Sequence, residues 1–178
     1  MNTESGGPAG VGPLLLLSWL KSILRGIDRV SYAGVVACML AMAGLVAAQV
    51  FFRYALDSSI DSADELSRLF FVWSMFLAIP HGIKVGIHVG IDIVVRQFGD
   101  RLQDIVFRAM SAASAILMVL VFYTAIFVVA DKWQDLMPTI DITAAVYYIA
   151  VLICAGHSFL HLAVLTLGGA GAWEETPE

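Results

Sequence analysis

Side chains able to hold a proton, a metal or a charge are scarce in this chain, and most stand inside or beside long apolar runs. Gln49, His81, His157 and His161 fall within such runs, and Arg53, Glu65 and Arg68 lie at their edges. Polar groups at membrane depth are the first functional candidates in a chain of this kind. Two histidines on facing helices at one depth can ligate a b-type haem. At 1.5 Å per residue, His81 lies about 27 Å along its run, His161 about 28 Å and His157 about 22 Å. His81 and His161 therefore share a level, and a haem-bearing anchor of an electron-transfer complex is one reading. The other is that these histidines make interhelical hydrogen bonds, His81 serving a carbonyl freed by Pro80. The residues expected of a proton relay, a phosphate loop, an HExxH zinc site, a paired-cysteine metal site or a nucleophile elbow are missing, so no catalytic, substrate-binding or metal site and no cofactor are expected.

The elements that would position these groups follow from composition. Of 178 residues, 60 % are hydrophobic and only 14 % charged, too little polar surface for a water-soluble domain. The chain reads as an all-α integral membrane protein, since about 20 apolar residues cross about 30 Å of hydrocarbon. Four spans are expected, at about 31–53, 63–84, 104–130 and 142–167. Start signals support them: Ser62 and Glu65 stand at capping-box spacing, as do Asp100 and Gln103, and Asp141 can cap the fourth span behind Pro138. Pro80 and Gly82 predict a kink. Cys38 and Cys154 lie in apolar runs and read as small hydrophobes. No basic stripe with interleaved aromatics points to nucleic acid.

Lys21, Arg25 and Arg29 precede the first span, and Lys84, Arg96, Arg101 and Arg108 surround the middle link. The positive-inside rule then places both termini and the middle link in the cytoplasm. "VAAQ" at 46–49 resembles a signal-peptidase site, but the apolar run continues to Phe52, as in an uncleaved anchor. Residues 13–30 form an amphipathic helix, with Lys21, Arg25, Asp28 and Arg29 on one face and Trp19, Leu20, Ile23, Leu24, Ile27 and Val30 on the other. Such a helix lies along a lipid surface. Residues 1–12 read as disordered and 168–178 as a cytoplasmic tail. The fold expected is a four-transmembrane-helix bundle preceded by this interfacial helix.

Between the first two spans runs "FFRYALDSSIDSADELSRLFFVW". Arg53 and Tyr54 close one span, while Glu65, Leu66, Arg68 and Trp73 enter the next. "KVGIHVGIDIV" then carries Lys84, His88 and Asp92. In order and spacing these pieces resemble the DctQ-like small membrane subunit of tripartite ATP-independent periplasmic (TRAP) transporters, over about residues 31–167. Gly90 and the Pro80-His81-Gly82 sequence depart from the usual pattern. The resemblance implies a bacterial inner-membrane subunit without a transport site of its own. Its partners would be a large multi-span membrane subunit and a periplasmic substrate-binding protein. Together they would take up an organic acid or similar solute along a cation gradient.

The charges also have a local reading. Arg53 at a helix C-terminus and Glu65 at a helix N-terminus each complement the helix dipole, and they can pair across the hairpin. Arg68 shares a face with Glu65. Capping by Glu65 is the alternative. Asp57, Asp61 and Asp64 either solvate the loop or dock the binding protein. His88 and Asp92, at i,i+4, can fix the turn or meet the large subunit. Ala37, Ala41, Gly44 and Ala48 make a small-residue stripe suited to close helix packing.

Overall fold

The computed structural model describes residues 11–58, 60–84 and 100–169. The expectations for residues 1–10 and 170–178, and for His88 and Asp92 in the middle link, lie outside these residues. Among the described residues there are four helices: α1 (Val11–Ala55), α2 (Asp61–Lys84), α3 (Asp100–Asp131) and α4 (Ala145–Gly168). Each contains a stretch long and apolar enough to cross a membrane. The boundaries of α2, α3 and α4 fall within about four residues of those expected from the sequence.

The beginning of α1 differs. The amphipathic segment 13–30 and the first span form one unbroken helix of 45 residues, about 67 Å long at 1.5 Å per residue. Nothing in this stretch ends a helix: Gly26 is the sole breaker between Trp19 and Ser31, and one interior glycine costs only ~1 kcal/mol. The opposite end stops at a defined turn. Asp57 adopts a left-handed backbone, φ 48°, a conformation short polar residues tolerate. The amides of Leu56 and Ser58 both reach back to the Phe52 carbonyl, at 3.1 and 3.2 Å.

The helices pack in the order α1–α2–α4–α3, with a smaller contact between α1 and α4. The inner members of this row are α2 and α4. Half of the most apolar stretch of α4 is buried, against none of the corresponding stretch of α1. Gly34 lets α1 approach α2 closely, since a Cβ there would stand 3.1 Å from Leu77 Cδ1. Ser31 adds a hydrogen bond to the Leu77 carbonyl at 3.0 Å, next to Pro80, which α2 accommodates within its length. The expected small-residue stripe is only half used. Ala41 and Ala48 are partly buried, whereas Ala37 and Gly44 are exposed and a Cβ on Gly44 would meet nothing. The packing face of α1 instead runs through Gly34, Cys38, Ala41, Leu45 and Ala48.

Residues 132–144 between α3 and α4 make a tight, hydrogen-bonded link. Met137 N–H donates to Ile142 O at 2.9 Å and Ala144 N–H to Asp135 O at 2.7 Å, around an isolated antiparallel bridge of Leu136 and Thr143. Asp141 does not cap α4. The N-cap is Ala144, which has no side-chain cap, and Thr143 Oγ1 accepts from Ala145 N–H at 3.2 Å while donating to Lys132 O at 3.0 Å. Lys132 also bonds Asp135 at 2.8 Å, and this bond is the main reason its ammonium is held above its usual pKa.

Candidate functional site

Two polar constellations hold the row of helices together, one at each end. At the Glu65 end, α2 is stitched to the link and to α4. Glu65 Oε2 accepts from Thr139 N–H at 2.9 Å and from the Thr139 hydroxyl. The Tyr147 hydroxyl reaches the Glu65 carbonyl at 3.5 Å. Two turns further along, Trp73 Nε1 donates to the Val146 carbonyl of α4 at 3.2 Å. Residues 65, 69 and 73 lie on one helical face, and Leu69 between them is buried.

The Arg53–Glu65 pair, one of the two readings of these charges, does not form: among the described residues Glu65 takes its bonds from Thr139, and Arg53 is exposed. The physical reason is reach. The 132–144 link folds over the start of α2 and presents a backbone amide and a hydroxyl together, which satisfies a carboxylate without ordering a long arginine side chain. Arg53 keeps the position in the last turn of α1 that suits a cation. Arg68 and Tyr54 are also exposed, as are Asp57, Asp61 and Asp64. Of the residues singled out in this region, the structure therefore brings Glu65 and Trp73 into the fold and leaves the charged others on its surface.

The second constellation is at the Lys84 end, where α1, α2 and α4 meet. Asp28 of α1 is 6 % exposed, His157 5 % and His161 0 %. Asp28 Oδ1 lies 2.9 Å from His157 Nε2 and 2.8 Å from His161 Nε2, which are 3.2 Å from each other. Lys84 Nζ contacts the other carboxylate oxygen, Oδ2, at 3.0 Å. The ring of His81 stands edge-on to His157, centroids 6.1 Å apart, and its Nε2 is buried with no hydrogen-bond partner among the described residues. Around this polar knot pack Leu24, Ile83, Leu162, Val164 and Leu165. Completely burying a leucine such as Leu24 is worth about 1.5–3 kcal/mol where the alternative is water.

The haem arrangement gains no support from this geometry. His161 Nε2, the atom that would ligate iron, is turned to Asp28 and His157 instead. The role of Asp28 escaped sequence reasoning, which placed it on the solvated face of an interfacial helix. Its signal was faint: the one acid among Lys21, Arg25 and Arg29, four residues after the buried Leu24. His157 and His161 carried a clearer one, two imidazoles at i,i+4 on one face of an apolar helix.

A third contact closes the α3–α4 pair. Arg108 of α3 donates from Nη1 to the carbonyls of Thr166 and Leu167 at 3.2 Å each, while its Nε bonds Asp104 at 2.8 Å. A cation thereby caps the C-terminus of α4. Gly169 follows with φ 75°, where a Cβ would stand 3.1 Å from Arg108 Nη2 and 3.2 Å from Asp104 Oδ1.

Comparison with known proteins agrees with this membrane architecture. The family model of the DctQ component of tripartite ATP-independent periplasmic transporters matches residues 42–170. The chain belongs to the DctQ family. A protein of Haemophilus influenzae, provisionally named a TRAP transporter small permease protein, is 26 % identical over 134 residues, covering 75 % of this chain and 81 % of that one. The DctQ-family match runs from the middle of α1 to the end of α4, so Glu65, Trp73, Arg108, His157 and His161 lie inside it and Asp28 outside. This family is a transporter component, and the chain is a small TRAP permease subunit with four helices able to span a bacterial membrane.

Proposed function

We propose that this subunit is the static scaffold of its transporter, packing beside a large multi-span membrane subunit and helping to dock a periplasmic substrate-binding protein. In this reading the complex lies in the inner membrane, with both termini of the chain cytoplasmic. Transport of an organic acid or similar solute, driven by a cation gradient, is carried out by the large subunit. The observation that supports the reading most is the row-like packing. A row of helices with α1 and α3 at its flanks presents two broad apolar sides, bearing Val36, Leu40, Phe51, Leu117, Leu120 and Phe127 among others. Such sides suit lipid on one flank and a partner's helices on the other.

The fixed links support a static role. Glu65, Thr139, Trp73 and Val146 tie α2, the 132–144 link and α4 into one unit, and Arg108 does the same for α3 and α4 at the other end. Exposed Asp57, Asp61 and Asp64 ring the Glu65 end and would face a periplasmic partner. The amphipathic start of α1 leaves Trp19, Ile23, Ile27 and Val30 exposed, an apolar edge that belongs against lipid headgroups and acyl chains.

The test is reconstitution. The tagged chain, extracted in mild detergent, should carry the large subunit in a fixed ratio. Liposomes holding both should take up solute only when the binding protein is added. Recovery of this chain alone, or full uptake by the large subunit without it, would refute the scaffold.

A further inference from the structure

We propose that Asp28, His157 and His161 form a binding site for a divalent transition metal of the zinc class, tying α1 to α4. The three facing atoms, Asp28 Oδ1 and the two Nε2 nitrogens, make a triangle with edges of 2.8, 2.9 and 3.2 Å. Were all three contacts hydrogen bonds, they would need three hydrogens. A carboxylate supplies none, and each imidazole nitrogen supplies at most one. With both nitrogens protonated, the two donors face each other at 3.2 Å. With one protonated, a bare nitrogen lone pair faces either the carboxylate or its neighbour. No protonation state of the two imidazoles fills every edge. A cation bound to all three atoms satisfies them at once.

The three donor atoms all lie within 4.8 Å of one another. A cation placed at ordinary metal–imidazole and metal–carboxylate lengths, about 2.05 Å from each, would subtend angles of about 86–103° between ligands. These scatter about the octahedral value, the widest leaning toward tetrahedral. Two histidines and one carboxylate on one side of the ion form a donor set suited to zinc, iron or nickel rather than calcium or magnesium.

The surroundings fit a structural site. The side chains of His161, His157 and Asp28 are 0 %, 4 % and 9 % exposed, which suits a closed site and hinders exchange with solvent. Lys84 holds Oδ2 at 3.0 Å and so turns Oδ1 toward the histidines, the kind of outer contact that orients a ligating carboxylate. His81, with its buried Nε2 unpartnered among the described residues, stands beside the triangle as another imidazole. The ion would bridge the two helices at their small mutual contact.

The probes are Zn²⁺ and Co²⁺, added to full-length chain purified through a tag without histidine, then stripped with chelator. Retention of one Zn²⁺ per chain after gel filtration, and visible Co²⁺ absorption bands displaced by Zn²⁺, are expected. His157→Gln, His161→Gln and Asp28→Asn should each weaken binding at least 30-fold while keeping the helical circular dichroism. Asp104→Asn should bind as the parent does. Should the site variants fail to fold, the parent protein still decides: X-ray absorption at the zinc edge of the loaded chain should show a nitrogen and oxygen shell with the outer scattering of two imidazoles. Less than a tenth of an equivalent of Zn²⁺ at micromolar free metal, equal binding by folded variants, or a zinc edge without imidazole scattering would overturn the proposal.

Discussion

Replacing Glu65 by alanine should loosen the link between α3 and α4 without unfolding the bundle. The carboxylate accepts two bonds from Thr139, one from its amide and one from its hydroxyl. Hydrogen bonds to a charged group are worth about 1.5–3 kcal/mol each when shielded. Glu65 is only half-buried, so water replaces part of each bond, and the pair together contributes about 2 kcal/mol. A loss of about 2 kcal/mol raises the open population of the link roughly thirtyfold, at 1.4 kcal/mol per factor of ten. Hydrogen–deuterium exchange of a peptide spanning 134–144, in detergent or nanodiscs, reads that population directly. Glu65→Gln keeps an acceptor but loses the charge, so about half the free energy and roughly a fivefold acceleration are expected. Asp64→Ala, on the exposed face one residue earlier, serves as the control and should change little. Unaltered exchange at Thr139 in Glu65→Ala would refute the reasoning, because the link would then be held by its own backbone bonds alone.

Other expectations follow from the same contacts. Trp73→Phe removes the bond to the Val146 carbonyl while keeping the aromatic bulk, and should cost about 1 kcal/mol, seen as a lower midpoint in thermal unfolding. Gly34→Leu puts atoms where Leu77 already stands; the overpacking should cost about 1–3 kcal/mol and reduce disulfide trapping between cysteines introduced across α1 and α2. Gly44→Leu, at an open position, should leave that trapping unchanged. Gly169→Ala combines a left-handed backbone with a crowded Arg108 and Asp104 and should destabilise by about 1–2 kcal/mol, checked by the same melt. Arg53→Ala should leave the melting midpoint within about 0.5 kcal/mol of the parent, since exposed surface charges contribute little.

The helices of this subunit were legible because apolar run length and flanking charge act locally. Three of the four helices could be bounded to within about four residues from apolar run length, flanking charges and start signals. The unbroken α1 was harder to foresee, because change of face, from amphipathic to uniformly apolar, leaves no helix-stop residue and alters only the surroundings of the helix. Partner choice was least legible. Glu65 had a complementary cation near in sequence, yet the contact went to Thr139, 74 residues away. Which group arrives depends on how the 132–144 link folds, and that is set by Thr143, Lys132 and backbone bonds with no periodic signature. Asp28 failed for a related reason. An acid on a basic helical face looks solvated until a second helix brings two imidazoles over it.

The continuity of α1 has a mechanical consequence. A helix without a hinge behaves as a rigid beam, and Asp28 pins it to α4 and, through Lys84, to α2. From Asp28 to Ala55 the beam is about 40 Å long at 1.5 Å per residue. A rotation of 5° about that pin would therefore move its far end by about 3.5 Å, nearly the width of a methyl group. Slack of a few tenths of an ångström around two imidazoles would be magnified several-fold where Arg53, Tyr54 and Asp57 meet their surroundings. The tightness of this buried polar knot, together with the packing of α1 on α2 from Gly34 to Ala48, thus sets how accurately the opposite end of the subunit is placed.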